Sequence, residues 1–293
     1  MTTARPPSLR DWLELLLLAV IWGTAFVFID VGLNSVSPGG VAFIRLTLGA
    51  IILALYARAR GHHFPALTDP KWLWWMALGF FGNALPFYLI PWAQQDIPSA
   101  LAGILLAVMP LSTVVLAHFF AGERMTGWKF AGFLVGLVGV IILIGPSALA
   151  DLGGPKFLAQ IAVLTAALAY AVNVIIARRA PGMPASLSAA GMLIGASLWA
   201  APLGIWQEVA SDRAFDIWAW ASVIWLGIGP TAITSVIYLR LITNAGAGFM
   251  ATVNYLVPIV AVIAGLALGE VIGLGAIIGL TVILAGIAIS RRG

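Results

Sequence analysis

The chain has 293 residues, 62% of them hydrophobic and only 9% charged, and its mean hydropathy of +1.06 lies far above that of soluble domains. A bilayer span needs roughly 20 apolar residues, and ten such runs fill the chain, near 12–33, 38–57, 72–92, 98–120, 127–145, 157–177, 184–207, 218–240, 246–268 and 272–290. The remaining gaps hold no soluble domain, so the net charge of +4 reports loop lysines and arginines at a lipid bilayer and implies no nucleic-acid partner.

Span 1 begins with Asp11 and Glu14, and no small-residue cleavage site follows it, so it reads as a retained helix and not a cleaved leader. Leu18, Trp22, Ala25 and Ile29 share one helical face. Trp22 is too deep for the interfacial belt assigned to Trp12, Trp72, Trp74, Trp75 and Trp218, and either packs or lines a cavity. Asp30, near the outer end of span 1, and Arg45, inside span 2, fall at similar depth and are expected to pair, as structure in preference to ion coupling. Span 3 supplies Asn83, Pro86 and Tyr88. In span 4, "AVMPLSTVVLAHFFAGE" places Pro110 in an apolar run, where the missing donor should free the carbonyl of Leu106.

Gly132, Gly136 and Gly139 in span 5 are answered by Gly275, Gly279 and Gly286 in span 10. These small residues permit close helix approach, within one chain by preference or across a homodimer. In span 6, Tyr170 and Asn173 need polar partners at mid-membrane, from substrate and water or from a neighbouring helix. Span 8 carries Pro230, Thr231, Thr234 and Tyr238, whose hydroxyls also suit local backbone. Span 9 sets Met250, Asn254 and Pro258 one helical turn apart, with Tyr255 adjacent, and Pro258 should free the Asn254 carbonyl; Pro110 and Pro258 are therefore matched hinge candidates, or plain kinks.

The chain also repeats itself. At an offset of 148, Trp22 falls on Tyr170, Trp72 on Trp220, Gly79 on Gly227, Ala100 on Gly248 and Pro110 on Pro258; at 147, Glu123 meets Glu270 and Gly132 meets Gly279. The repeats, 1–147 and 148–293, hold five spans each, and an odd number inverts the second. With the N terminus in the cytoplasm, Arg5, Arg10, Arg58, Arg60, Lys71, Arg124, Lys129, Arg178, Arg179, Arg240, Arg291 and Arg292 fall inside, and only Lys156 and Arg213 outside. That asymmetry places both termini in the cytoplasm. The expected fold is an all-α integral membrane protein of ten transmembrane helices in two inverted five-helix repeats, the arrangement of secondary transporters.

"AVIWGTAFVFI" in span 1, "FIRLTLGAIILAL" in span 2 and the two proline-to-Gly-Glu segments of spans 4 and 9 resemble the EamA branch of the drug/metabolite transporter superfamily. The likeness covers essentially the whole chain and implies a facilitator or exporter of the inner membrane. Trp22, Asn83, Tyr88, Tyr170, Asn173, Thr234, Tyr238 and Asn254 are the substrate-binding candidates.

What is missing narrows the cargo. No carboxylate lies at mid-membrane in spans 1, 4, 6 or 9, against proton-coupled cation export, although coupling through Asp30 stays open. Arg45 is the one deep basic residue, against phosphorylated sugars. A mostly apolar, aromatic-rich cavity suits amino acids, aromatic or apolar ones first, or else other neutral or weakly cationic metabolites or drugs. The chain has no cysteine, and its three histidines lack metal-ligand spacing, so neither metal nor cofactor is called for. A membrane-embedded protease would need a serine and histidine or two aspartates, yet His118 and Asp30 stand alone; a channel would need charged rings or a filter loop. A monomer is favoured.

Overall fold

The computed structural model describes residues 6–150 and 152–292, so Arg5 and the outer repeat limits at 1 and 293 lie outside the described residues. Every regular element among them is helical: α1 Leu9–Gly32, α2 Pro38–Ala59, α3 Lys71–Ala93, α4 Ser99–Phe120, α5 Gly127–Ala150, α6 Pro155–Arg179, α7 Ala185–Val209, α8 Ile217–Met250, α9 Val253–Ala267 and α10 Leu274–Ser290. The first eight are long and apolar enough to cross a membrane, and α9 and α10 are shorter apolar helices. The chain is a multi-pass membrane protein.

Local chemistry starts these helices where the sequence permits. Ser8 and Asp11 form a reciprocal capping box at α1, and the Ser37 hydroxyl accepts from the Gly40 N–H at α2. α8 is continuous only by name. Gly246, at φ +88°, breaks the helix, and Ala247–Met250 make one turn before the chain bends again into α9. Only glycine adopts that backbone without strain.

On α1 one face is buried and the opposite face carries large apolar side chains outward. Ala19, Gly23 and Ala25 of α1 are buried, whereas Leu13, Leu16, Leu17 and Val20 are exposed, as a lipid-facing helix requires. α2 packs along α7 and α5 along α10, while α1 lies against α8 and α9. Glycines set the closest approaches. A Cβ on Gly132 would meet the Gly286 carbonyl oxygen at 2.5 Å, and one on Gly286 would meet the Gly132 carbonyl oxygen at 2.6 Å. The glycine stripes of α5 and α10 are thus consumed within the chain. The interfacial assignment of Trp75 is corrected: it is fully buried, its ring seated where a Cβ on Gly191 of α7 would fall. Trp12 and Trp218 are exposed.

Gly286→Val should therefore destabilise the purified protein by about 1–3 kcal/mol, the usual cost of overpacking, read as a lower midpoint of thermal unfolding in detergent. Gly275→Ala, whose new Cβ would meet only the Ile142 carbonyl oxygen at 3.8 Å, should leave that midpoint unchanged.

Candidate functional site

The centre of the bundle is organised by a proline. Pro230 lies in a π-helical turn, Ile228–Ile233, and a second π-helical turn, Phe80–Ala84 of α3, begins 148 residues earlier. Such turns recur at functional sites because they widen the helix and release backbone groups. Pro230 cannot donate to the Leu226 carbonyl one turn back, and the Thr231 hydroxyl donates to it instead, at 2.8 Å. The Pro230 carbonyl in turn accepts from the Thr234 hydroxyl at 2.7 Å and from the Trp22 indole N–H at 3.2 Å; that N–H also reaches Thr234 Oγ1 at 3.0 Å. The Tyr238 ring stands 6.1 Å from that of Trp22 and is 38% exposed. Trp22, Thr234 and Tyr238 are therefore one cluster, joining α1 to α8.

Arg45 is found elsewhere than expected. It is buried, its Nε donates to Thr231 Oγ1 at 2.8 Å, and its guanidinium covers the Phe87 ring at 3.7 Å. Tyr170 lies within electrostatic range. The expected pair with Asp30 is not formed: Asp30 is exposed and lies within electrostatic range of Glu270. Helix rotation is the reason. Ile29 is 2% exposed, and one residue further along α1 the side chain turns some 100° away from the core.

Asn83 and Asn173 are brought close. A Cβ on Gly82 would lie 2.7 Å from Asn173 Cγ, so Asn173 sits against the residue preceding Asn83. Asn83 Nδ2 and Asn173 Oδ1 are both enclosed and have no hydrogen-bond partner. Tyr88 lies apart from both groups, lining a cleft of about 290 Å³ with Ser37, Trp92, Gln95, Gln207 and Arg213, where Gln207 Nε2 donates to its hydroxyl at 3.4 Å. Asn254 is half-buried near the start of α9, and no side-chain hydrogen bond joins it to the other candidates.

The expectation for Pro110 is corrected. A 3₁₀ turn, Leu106–Val108, precedes Pro110, and the Met109 N–H donates to the Leu106 carbonyl, which is therefore not free. Pro258 is buried inside α9, and irregular backbone lies before that helix, at Gly246 of α8 and at Ala251–Thr252.

The two ends of the bundle differ. At one, Glu270 accepts from the backbone N–H groups of Ser99 and Ala100, each at 3.0 Å, clamping the first-turn donors of α4 that have no partner within the helix. A Cβ on Gly265 would meet the Ala100 methyl at 2.9 Å, so α9 and α4 touch there. At the other end, Glu123 pairs with Arg178 and Lys129, and a Cβ on Gly248 would meet nothing within 4 Å. The Arg178 hydrogen bond, with the nearby cationic charges, holds the Glu123 carboxyl below its ordinary 4.5. Because the folded value is depressed, that contribution to stability is complete above 4.5 and fades as pH falls through the lower folded value.

Sequence reasoning missed the partners more than the residues. Thr231 carried a signal, a threonine directly after a mid-span proline. The Gly-Glu endings marked Glu123 and Glu270 but not what Glu270 caps, 171 residues away in Ser99. Gln94, just past the end of α3, has no local sequence signal for its partner: its Nε2 donates to the Phe26 carbonyl at 2.7 Å.

Known proteins share this design. The EamA-like transporter family matches the chain twice, over residues 12–145 and 157–292. A probable terminal-alkyne amino-acid exporter of Streptantibioticus cattleyicolor is 31% identical, covering 95% of this chain and 92% of its own. The aromatic amino acid exporter YddG of Ancylobacter novellus is 27% identical over 68% of each chain, and an uncharacterized transporter of Archaeoglobus fulgidus is 25% identical over 97% of this chain and 99% of its own. One solved crystal structure superposes with a TM-score of 0.68 at 22% identity, over 97% of this chain and 98% of the other, which speaks to fold. These matches describe a transporter and not an enzyme, and the chain belongs to the EamA-like transporter family.

Proposed function

We propose that the protein exports small zwitterionic metabolites across the inner membrane, amino acids with aromatic or apolar side chains foremost, by alternating access between two inverted five-helix repeats. The repeats are residues 1–147 and 148–293, with both termini cytoplasmic. The twofold family match and the two π-helical turns one repeat apart support the duplication. The exporters among the relatives support the cargo.

One observation carries the mechanism. Glu270 clamps Ser99 and Ala100, whereas its repeat counterpart Glu123 leaves the counterparts of those residues, Ala247 and Gly248, unclamped. An inverted repeat has two equivalent ends, so one shut and one parted is the signature of a single state in a cycle. In this reading the external end is closed and the cytoplasmic end open. Export then proceeds when Glu123 leaves Arg178 to cap Ala247 and Gly248 while Glu270 releases Ser99 and Ala100. Trp22 and Tyr238 on one wall, and Tyr170 on the other, offer ring faces to an apolar side chain. Burial of Gly132, Gly136 and Gly139 of α5 and of Gly279 and Gly286 of α10 inside one chain favours a monomer over a homodimer.

The cysteine-free chain makes orientation directly measurable. Single cysteines replacing Ser37, Asp96 or Gly273 should react with a membrane-impermeant thiol reagent from outside, and those replacing Gly61, Gly127 or Pro181 should not; external labelling of Gly127→Cys with protection of Gly273→Cys would contradict the inversion.

The clamps make opposite predictions. Glu270→Gln should raise the labelling of Ile97→Cys, buried at the closed end, and lower that of Gly248→Cys severalfold; Glu123→Gln should do the reverse. Parallel changes in both reporters would contradict an exchange.

Cargo is tested in proteoliposomes. Aromatic and apolar amino acids should give counterflow, and Asn254→Ala should weaken apparent affinity roughly ten- to a hundredfold, as loss of a hydrogen bond to a charged group does, with Leu106→Ala doing less. Strong flux of phosphorylated sugars without amino acid flux would overturn the cargo. Uphill accumulation driven by a pH gradient, abolished by Asp30→Asn with counterflow spared, would replace facilitated export by proton coupling at that exposed carboxylate.

A further inference from the structure

Arg45 is a buried cation without a counter-ion. It is 7% exposed, and among the described residues no carboxylate lies within ion-pairing distance of it. Its one hydrogen bond spends Nε on a neutral hydroxyl, Thr231 Oγ1, which is already committed to the Leu226 carbonyl. The planar fork of Nη1 and Nη2 donates to nothing in the protein. Neither Nη atom is among the enclosed polar atoms that lack a partner, so each keeps a small accessible area.

Burying an unpaired guanidinium is costly unless something repays it. The fold does not need it: at an offset of 148 the second repeat has Leu193, 2% exposed and packed in the α2–α7 core. The charge is therefore an addition to the scaffold. Its placement is specific too. Phe87 precedes Tyr88, which lines the cleft at the closed end, and Thr231 follows Pro230, whose carbonyl holds Trp22. The Phe87 ring of α3 and the Thr231 hydroxyl of α8 together fix where the Arg45 guanidinium sits, with its fork left over.

The geometry points to Arg45 as the binding site for a carboxylate of the transported molecule, held by the two Nη groups in the bidentate geometry that a guanidinium offers. This rests on the transport reading above and narrows its substrate class to carboxylate-bearing metabolites. The arrangement explains how one deep cation serves an amino acid exporter: the carboxylate neutralises Arg45, and the neutral groups around Trp22 and Asn254 are left for the ammonium and side chain.

The test compares L-phenylalanine, 3-phenylpropionate, benzoate and phenethylamine as ligands of the purified full-length protein, read by thermal stabilisation and by competition in counterflow. The wild type should bind the three carboxylates and bind phenethylamine at least tenfold more weakly than phenylalanine. Arg45→Gln should weaken carboxylate binding roughly ten- to a hundredfold, the loss expected for a charged hydrogen-bonded contact, and leave phenethylamine unaffected. Arg45→Lys, which keeps the charge but not the fork, should lose less. The comparison of ligands on the wild type needs no variant, so a misfolded Arg45→Gln does not leave the matter open. Carboxylates bound equally by wild type and Arg45→Gln, phenethylamine bound by the wild type as well as phenylalanine, or no binding of any carboxylate would each overturn the assignment. Arg45-dependent binding of 3-phenylpropionate or benzoate with no binding or flux of phenylalanine would sustain it while refuting the amino acid reading.

Discussion

In hydrocarbon a backbone carbonyl that loses its helical donor has no water to turn to, and the architecture of this protein's centre follows from one such loss. Pro230 withdraws the donor owed to Leu226, and Thr231 replaces it with its hydroxyl. That hydroxyl still has lone pairs, and Arg45 occupies one; the Pro230 carbonyl, displaced by the π-helical turn, holds the indole of Trp22. A single backbone defect thus fixes a cation from α2 and an aromatic ring from α1 against α8. The substitution Gly→larger is barred beside it: a Cβ on Gly49 would meet Thr231 Cγ2 at 2.6 Å, so α2 can come close enough for Arg45 to reach its partner.

In the proposed inverted-repeat reading, duplication and asymmetry divide the work. The features that set the shape recur at one repeat's distance: the π-helical turns and the mutually packed glycines of α5 and α10. The features that would touch cargo do not. Arg45 has Leu193 as its counterpart, Trp22 has Tyr170, and Asn83 has Thr231. A symmetric scaffold lets two ends exchange states at little cost, and an asymmetric lining lets one site hold one orientation of a polar molecule. The Glu270 clamp fits this division, since a carboxylate on two backbone donors closes an end without demanding any particular side chain at Ser99 or Ala100.

Much of this was legible in the sequence because hydrophobic length and repetition survive without coordinates. The helical class and the paired glycine stripes follow from hydrophobic length and spacing alone. Failures share one cause, which is that depth along a helix says nothing of rotation around it. Asp30 and Arg45 were matched by depth, but Asp30 faces outward beside a buried Ile29. Spacing groups Trp75 with Trp72 and Trp74 at the interface, yet its ring is the one that meets Gly191. The Leu106 carbonyl was read as free because the proline rule counts the missing α-helical donor and not the 3₁₀ donor, Met109 N–H, that takes its place. Long-range caps such as Glu270 on Ser99 depend on tertiary closure and leave no local signature.

The central claim is that the two ends open and close in opposition. Spin-label pairs at Asp96 and Leu268, beside the Glu270 clamp, and at Phe120 and Gly248, beside Glu123, report the two ends separately, and pulsed electron paramagnetic resonance measures both distances in one lipid preparation. The account predicts that Glu270→Gln lengthens the first distance and shortens the second, with wild-type protein under saturating substrate populating both states. Distances that lengthen together, or a second distance indifferent to Glu270→Gln, would contradict it.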